Sequence, residues 1–200
     1  MPVQPTATGI ISIGGREPWF PPSVSPWITL ENLSAIEGVV DAYVTNDGNL
    51  EGLEEQIGKA RAGRVFLITS VDKLEETKRF VDSNFPRERV LVLAHVTQSS
   101  EAFLSEDMAE YAQGILIDTP LEGSKASRIL SRTVETITRN LGEGKRVIVN
   151  ARSHFWSEEF LHDVISEGVY AIAVDMTDVA MASNLVISTE RRIMLGRPSR

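Results

Sequence analysis

Residues 65–94 read VFLITSVDKLEETKRFVDSNFPRERVLVLA. The stretch opens on the apolar run Val65–Ile68 and closes on Val90–Ala94. Neither run alternates with polar positions, which suits strands covered on both faces. Between them, Asp72–Phe85 places Leu74, Phe80 and Val81 among Glu and Lys at helical spacing, and Pro86 stops the pattern. Strand, helix and second strand in this order form a βαβ unit, and a βαβ unit implies a parallel sheet.

The same unit recurs outward in both directions. Ile10–Ile13, Val39–Val44, Ile115–Ile117, Val147–Val149 and Ala171–Val174 join the two runs above, with starts about 24–32 residues apart. Most intervals read as one helix. Leu50–Ala62 carries Leu53, Ile57 and Ala60, and Ser124–Leu141 carries Ile129, Val134, Ile137 and Leu141 as an expected buried stripe. Ser157 is a candidate N-cap for a helix that turns Phe160, Leu161, Val164 and Ile165 inward. Thr29–Glu37, Ser100–Tyr111 and Asp178–Leu195 complete the helical set. Glu17–Pro26 holds four prolines and no helical pattern, and reads as a loop because proline fixes φ and removes a donor. The expectation is one α/β domain spanning 1–200, a (β/α) TIM-barrel-like fold with about seven parallel strands, one unit short of the usual eight. An open doubly wound sheet is the alternative.

Composition narrows the function classes. A formal charge of −8 disfavours nucleic acid, whose phosphates demand clustered Lys and Arg. There is no cysteine, which excludes disulfides and thiolate catalysis. No apolar run approaches the roughly 18–20 residues of a membrane span. The N-terminus shows no basic flank followed by an apolar segment, so a cytoplasmic protein is expected.

In parallel α/β folds, chemistry gathers just past the C-terminal ends of the strands. Those positions hold Arg16, Asn46 and Asp47, Thr69 and Ser70, His95, Asp118 and Thr119, Asn150 with Arg152 and His154, and Asp175. His95, Asp118 and Asp175 have the donor types a divalent metal accepts, and magnesium stays open, although their spacing matches no metal motif. Asn150, Arg152 and His154 alternate as extended chain does, which would aim them one way and suit an anion gripped by Arg152. Gly14 and Gly15 would present Arg16 across the mouth as its partner. Taken singly, each of these residues reads more readily as a solvated strand end, and Arg152 also reads as the internal ion-pair partner of Asp118 or Asp175.

Several stretches are similar to the C-terminal PEP-binding barrel of the phosphoenolpyruvate synthase and pyruvate phosphate dikinase family. Glu167–Asp175, EGVYAIAVD, resembles that family's EGIDSISVN, and Ala109–Ile117, AEYAQGILI, resembles its AEYADGFSIG. Val65–Phe80 is similar to its strand followed by VEELKKV, and Val90–His95 to its VGVMIE. The resemblance covers about two thirds of the chain, from Val65 onward, and implies a TIM barrel that pairs through its outer helices. A homodimer through the last helix, with Met181, Leu185, Val186, Ile193 and Met194, is therefore expected.

The departures decide what the resemblance implies for activity. The family's metal-binding Glu falls at His95, and its second metal carboxylate falls near Thr119-Pro120-Leu121-Glu122, where no Asp stands. Its catalytic Cys falls at Asn150, and two phosphate-gripping Arg positions fall near Asn46 and Thr69. Its third barrel strand has no counterpart between Gly48 and Arg64. Asn cannot protonate an enolate as a thiol does. The expectation is a short, degenerate barrel, a pseudoenzyme for PEP synthesis. It either binds a small anionic metabolite through Arg16, His95, Asn150, Arg152 and His154, or serves as a non-catalytic interaction or regulatory module.

Overall fold

The structure is a computed structural model that describes residues 8–14, 24–47, 49–97, 106–118, 123–141, 144–152 and 157–196. Its sheet is a closed, all-parallel barrel in sequential order. The strands are β1 (Gly9–Ile13), β2 (Val24–Ile28), β3 (Asp41–Thr45), β4 (Arg64–Ser70), β5 (Val90–Val96), β6 (Gly114–Ile117), β7 (Arg146–Asn150) and β8 (Ala171–Asp175). Helices α1 (Leu53–Lys59), α2 (Leu74–Asn84), α3 (Glu106–Tyr111), α4 (Gly123–Asn140), α5 (Glu158–Ser166) and α6 (Val179–Met194) follow strands β3 to β8 in turn. The ring closes through β1 and β8, paired from Gly9↔Ala171 to Ile13↔Asp175.

Eight strands replace the expected seven, and the barrel lacks no unit. The overlooked strand is β2, VSPWI, whose first residues fall in the stretch read as a proline-rich loop. Val24, Pro26 and Ile28 are buried while Ser25 and Trp27 are half-buried, a period of two. Pro26 hid the strand because it cannot donate to a ladder. The barrel accommodates it where pairing is thinnest, since β2 meets β3 only at Trp27↔Tyr43 and Ile28↔Val44. The interval from Gly48 to Arg64 carries α1 and no strand among its described residues, and β3 pairs directly with β4 from Asp41↔Arg64 onward.

Strand alternation divides the core in two. Ile11, Tyr43, Phe66, Ile68, Leu93, Leu116 and Ile148 fill the barrel interior. Val44, Leu67, Val92, Ile117, Val149 and Val174 point outward and pack with helix residues such as Leu53, Leu74, Val134, Leu161 and Val186. This double coverage explains why the runs read as continuous rather than alternating.

The helices follow their sequence signals with two exceptions. Ser157 caps α5 as expected, its hydroxyl accepting the Phe160 N–H at 3.1 Å, with Glu158 and Glu159 favourably placed in the first turn. On α4 the buried stripe runs through Leu130, Val134 and Ile137, whereas Ile129 is exposed. The stretch 29–37 forms a 3-10 helix, Leu30–Ala35, that buries Leu33 alone. On α6, Val186 is buried and Leu185 packs on the core, while Met181, Ile187 and Met194 are exposed. Among the described residues no helix is long and apolar enough to cross a membrane.

Candidate functional site

The two ends of the barrel carry different chemistry. At the N-terminal end, Asp41 accepts two hydrogen bonds from Arg64, at 2.7 Å to Nε and 2.9 Å to Nη2. Register dictates the pair, because Asp41 and Arg64 are partners at the start of β3 and β4 and both face inward. The bonded carboxylate holds the Arg64 guanidinium above its ordinary pKa. Above the pair, Tyr43 stacks on Phe66 with ring centres 4.6 Å apart. Arg146 lies 5.6 Å from the centre of Phe66 and 5.1 Å from that of Tyr170, within cation–π range. Burial, then the charges of Tyr170 and Asp41, push the Tyr43 hydroxyl far above its usual range, so it stays neutral. This end is a packed floor whose polar groups answer one another.

At the C-terminal end, the mouth, the polar side chains stay partly exposed. His95 is inward-facing near the end of β5, paired with Ser70 on one side and Leu116 on the other. Its Nε2 lies 3.4 Å from Oδ2 of Asp118, the residue after β6. Asn150, the last residue of β7, donates from Nδ2 to the same Asp118 oxygen at 3.1 Å. Its own Oδ1 accepts the Arg152 backbone N–H at 3.1 Å. The Arg152 side chain then crosses to β8, with Nε 2.7 Å from Oδ1 of Asp175. One polar chain thus spans the ends of four neighbouring strands.

Exposure separates the members of this chain. Asn150 is buried, the right place for an orienting group between two partners. His95 and Asp118 are part-buried, with side chains 27% and 30% exposed. Arg152 and Asp175 are 57% and 35% exposed, so the internal pairing considered for Arg152 does form with Asp175, yet it leaves both side chains in contact with solvent. With its proton on Nε2, the His95 imidazole donates to Asp118 and offers Nδ1 as a base.

One expected rim residue, Thr69, does not reach the mouth. Arg16, His154 and Thr119 lie outside the described residues. Thr69 faces away from the barrel interior and its hydroxyl meets that of Thr77 on α2 at 3.5 Å. Asn46 is buried; its backbone N–H donates to Ile68, and its side-chain nitrogen has no partner among the described residues. The expected metal set His95, Asp118 and Asp175 is not drawn together, because Asp118 belongs to His95 and Asn150 while Asp175 holds Arg152. Among the described residues no group of three or more His, Asp or Glu is placed for a metal ion.

On the other side of the mouth the sequence reading named Asp47 but missed Trp27. A cavity of about 540 Å³ lies over the ends of β1, β2 and β3, lined among others by Ile13, Trp27, Leu30, Thr45 and Asp47. The Trp27 indole N–H donates to the Thr45 hydroxyl at 2.9 Å. Trp27 escaped notice because β2 was read as loop; the alternation of Val24, Pro26 and Ile28 about it was the available signal.

No family model and no curated protein matches this chain. Among solved structures, it is similar to a phosphoenolpyruvate phosphomutase from Streptomyces platensis subsp. rosaceus at 14% identity and a TM-score of 0.59, covering 96% of this chain and 85% of that one. An aldolase, QR15, is similar at 12% identity and a TM-score of 0.55, covering 86% and 83%. An oxaloacetate acetylhydrolase is similar at 12% identity and a TM-score of 0.53, covering 94% and 83%. None of these three is the C-terminal barrel of phosphoenolpyruvate synthase, and identities this low narrow that resemblance to the barrel itself. What the chain shares with these structures is the parallel (β/α)8-barrel fold.

Proposed function

We propose that the C-terminal mouth binds a small anionic metabolite, a carboxylate or phosphate, with Arg152 as its grip and the His95–Asp118 pair as a proton-transfer couple. The observation that carries this reading is the unbroken polar chain from His95 through Asp118, Asn150 and Arg152 to Asp175. Guanidinium offers a planar fork suited to carboxylate or phosphate. Asp175 orients that fork, and exposure leaves room beside it for a second anion. Asn150 fixes the Asp118 carboxylate, which in turn aims His95. In barrels of this kind activity resides at the C-terminal face, the end at which this polar chain lies, which supports the reading. Phosphoenolpyruvate and oxaloacetate, named for two of the similar structures, are small anions, which supports the ligand class by analogy of fold.

Interconversion of pyruvate and PEP is not part of the proposal. Asn150 falls where the resembled family has its acid, and its amide is far too weak an acid to protonate an enolate. ATP-dependent PEP formation by the purified chain would overturn that exclusion.

The test is thermal unfolding with phosphate, sulfate, pyruvate and PEP, each with and without magnesium. An anion at 100 times its Kd adds about 2.7 kcal/mol. Arg152→Ala removes that stabilisation and leaves the unliganded protein folded. Absence of any anion effect in the wild-type chain would leave the non-catalytic interaction module as the better account.

A further inference from the structure

We infer that the cavity over β1, β2 and β3 is the second half of the same binding site, and that the ligand is a sugar ring carrying an anionic group. The inference rests on the anion reading of the mouth and adds what lies beyond the anion.

Register gives the first argument. Ile13 is the Cα partner of Trp27 on β2 and of Asp175 on β8. Asp175 and Trp27 therefore stand at one level of the rim, two strand spacings or about 10 Å apart at the backbone. Asp175 holds Arg152, so the anion grip and the cavity wall flank the single residue Ile13. An anion on Arg152 puts whatever it is attached to at the cavity entrance.

The lining gives the second argument. The cavity, about 540 Å³, falls within the range of small-molecule sites. Trp27 is half-buried: its N–H is committed to Thr45 and its inner side packs on the barrel interior, which fixes the indole and leaves its exposed part to the cavity. An indole face is apolar and electron-rich, and it accepts the C–H face of a sugar ring. Asp47 is the one charged residue of the lining among the described residues and is exposed. A carboxylate is an acceptor only, and two adjacent hydroxyls satisfy its two oxygens. Thr45 and Asn32 add hydroxyl and amide groups to the wall. An aromatic face beside a carboxylate, with Arg152 next door, matches the three parts of an anionic sugar: C–H face, hydroxyls and charge.

The experiment measures binding to the full chain by calorimetry for inorganic phosphate, glucose 6-phosphate, fructose 6-phosphate, glucose and phenyl phosphate. At least one hexose phosphate is expected to bind tenfold or more tightly than inorganic phosphate. Asp47→Asn, at an exposed position, is expected to erase most of that gain while leaving phosphate affinity unchanged. The chain has three tryptophans, so a ligand-induced fluorescence change that vanishes in Trp27→Phe assigns the ring to this wall. Equal affinity for hexose phosphates and phosphate overturns the inference but spares the anion site. A gain for phenyl phosphate alone overturns the sugar class. Hexose phosphates that bind no more tightly than glucose, and equally well to Arg152→Ala, support the cavity and overturn the anion reading. Failure of every probe overturns both.

Discussion

The floor and the mouth of this barrel are built from the same kinds of side chain and use them in opposite ways. At the floor, Asp41 grips Arg64 through both oxygens, with side chains 12% and 33% exposed. At the mouth, Asp175 meets Arg152 through Nε at 2.7 Å, with side chains 35% and 57% exposed. The floor couples its charges to a sealed aromatic stack, Tyr43 on Phe66. The mouth couples its charges to a part-buried imidazole and an open cavity. A closed pair holds a fold together, whereas an exposed pair of the same chemistry remains available to a third party. Burial, not residue type, is what separates the two ionic pairs here.

Mutations that set the two ends against each other sharpen the contrast. The largest loss is expected from Phe66→Ala, which removes a fully buried ring touched by Tyr43, Arg64 and Arg146. Truncations of this kind cost about 3–5 kcal/mol, readable in urea unfolding. Next is Asp41→Asn, which leaves Arg64 and Arg146 at the floor without that carboxylate. Breaking a fully buried pair costs about 3–5 kcal/mol, and the part exposure of Arg64 reduces the expectation to about 2 kcal/mol. A double variant, Asp41→Leu with Arg64→Met, should recover part of that loss, whereas a loss equal to the sum of the singles would mean the two residues are not coupled.

The third effect depends on pH. The folded-state pKa of Tyr43 lies above the ordinary 10.0, so its contribution is complete below pH 10 and is lost as pH rises beyond it, where the unfolded chain ionises first. Tyr43→Phe should therefore move the alkaline unfolding midpoint upward, and an unchanged midpoint would show that another group governs it. The smallest stability effect belongs to Arg152→Ala. At that exposure the pair with Asp175 is worth less than about 1 kcal/mol, so unfolding should barely change while anion binding disappears. A loss at Arg152 as large as that at Asp41 would erase the distinction between the two ends.

The sequence made the barrel legible where the chain is monotonous. Val65–Ile68 and Val90–Ala94 are apolar at every position because both strand faces are covered, by the barrel interior and by helices such as α2. It was illegible at β2, where Ser25 and Pro26 interrupt the run and a ladder donor is missing. Rim residues were legible because a polar residue after an apolar run marks a strand end, as His95, Asp118, Asn150 and Asp175 do. Their partnerships were not, since Asn150 bridges to an Asp118 that is 32 residues earlier. Thr69 misled for a related reason: the last residues of a strand still alternate, and only one parity faces inward. The Asp41–Arg64 pair left no local signal, because its members begin strands instead of ending them.

The two-pair seam between β2 and β3 has a consequence for how this ring breathes. The seam between β4 and β5 is three times as long, with six pairs. Local opening follows the fewest bonds, so amide protons of β2 and β3 should trade with deuterated water before those of β4 and β5. The same seam lies under the Trp27 cavity, so the part of the wall that faces an incoming molecule is also the part least fastened to its neighbours. Severing the chain at the exposed Gly38, between these strands, and rejoining the original ends elsewhere would place the new termini where the barrel has least to lose.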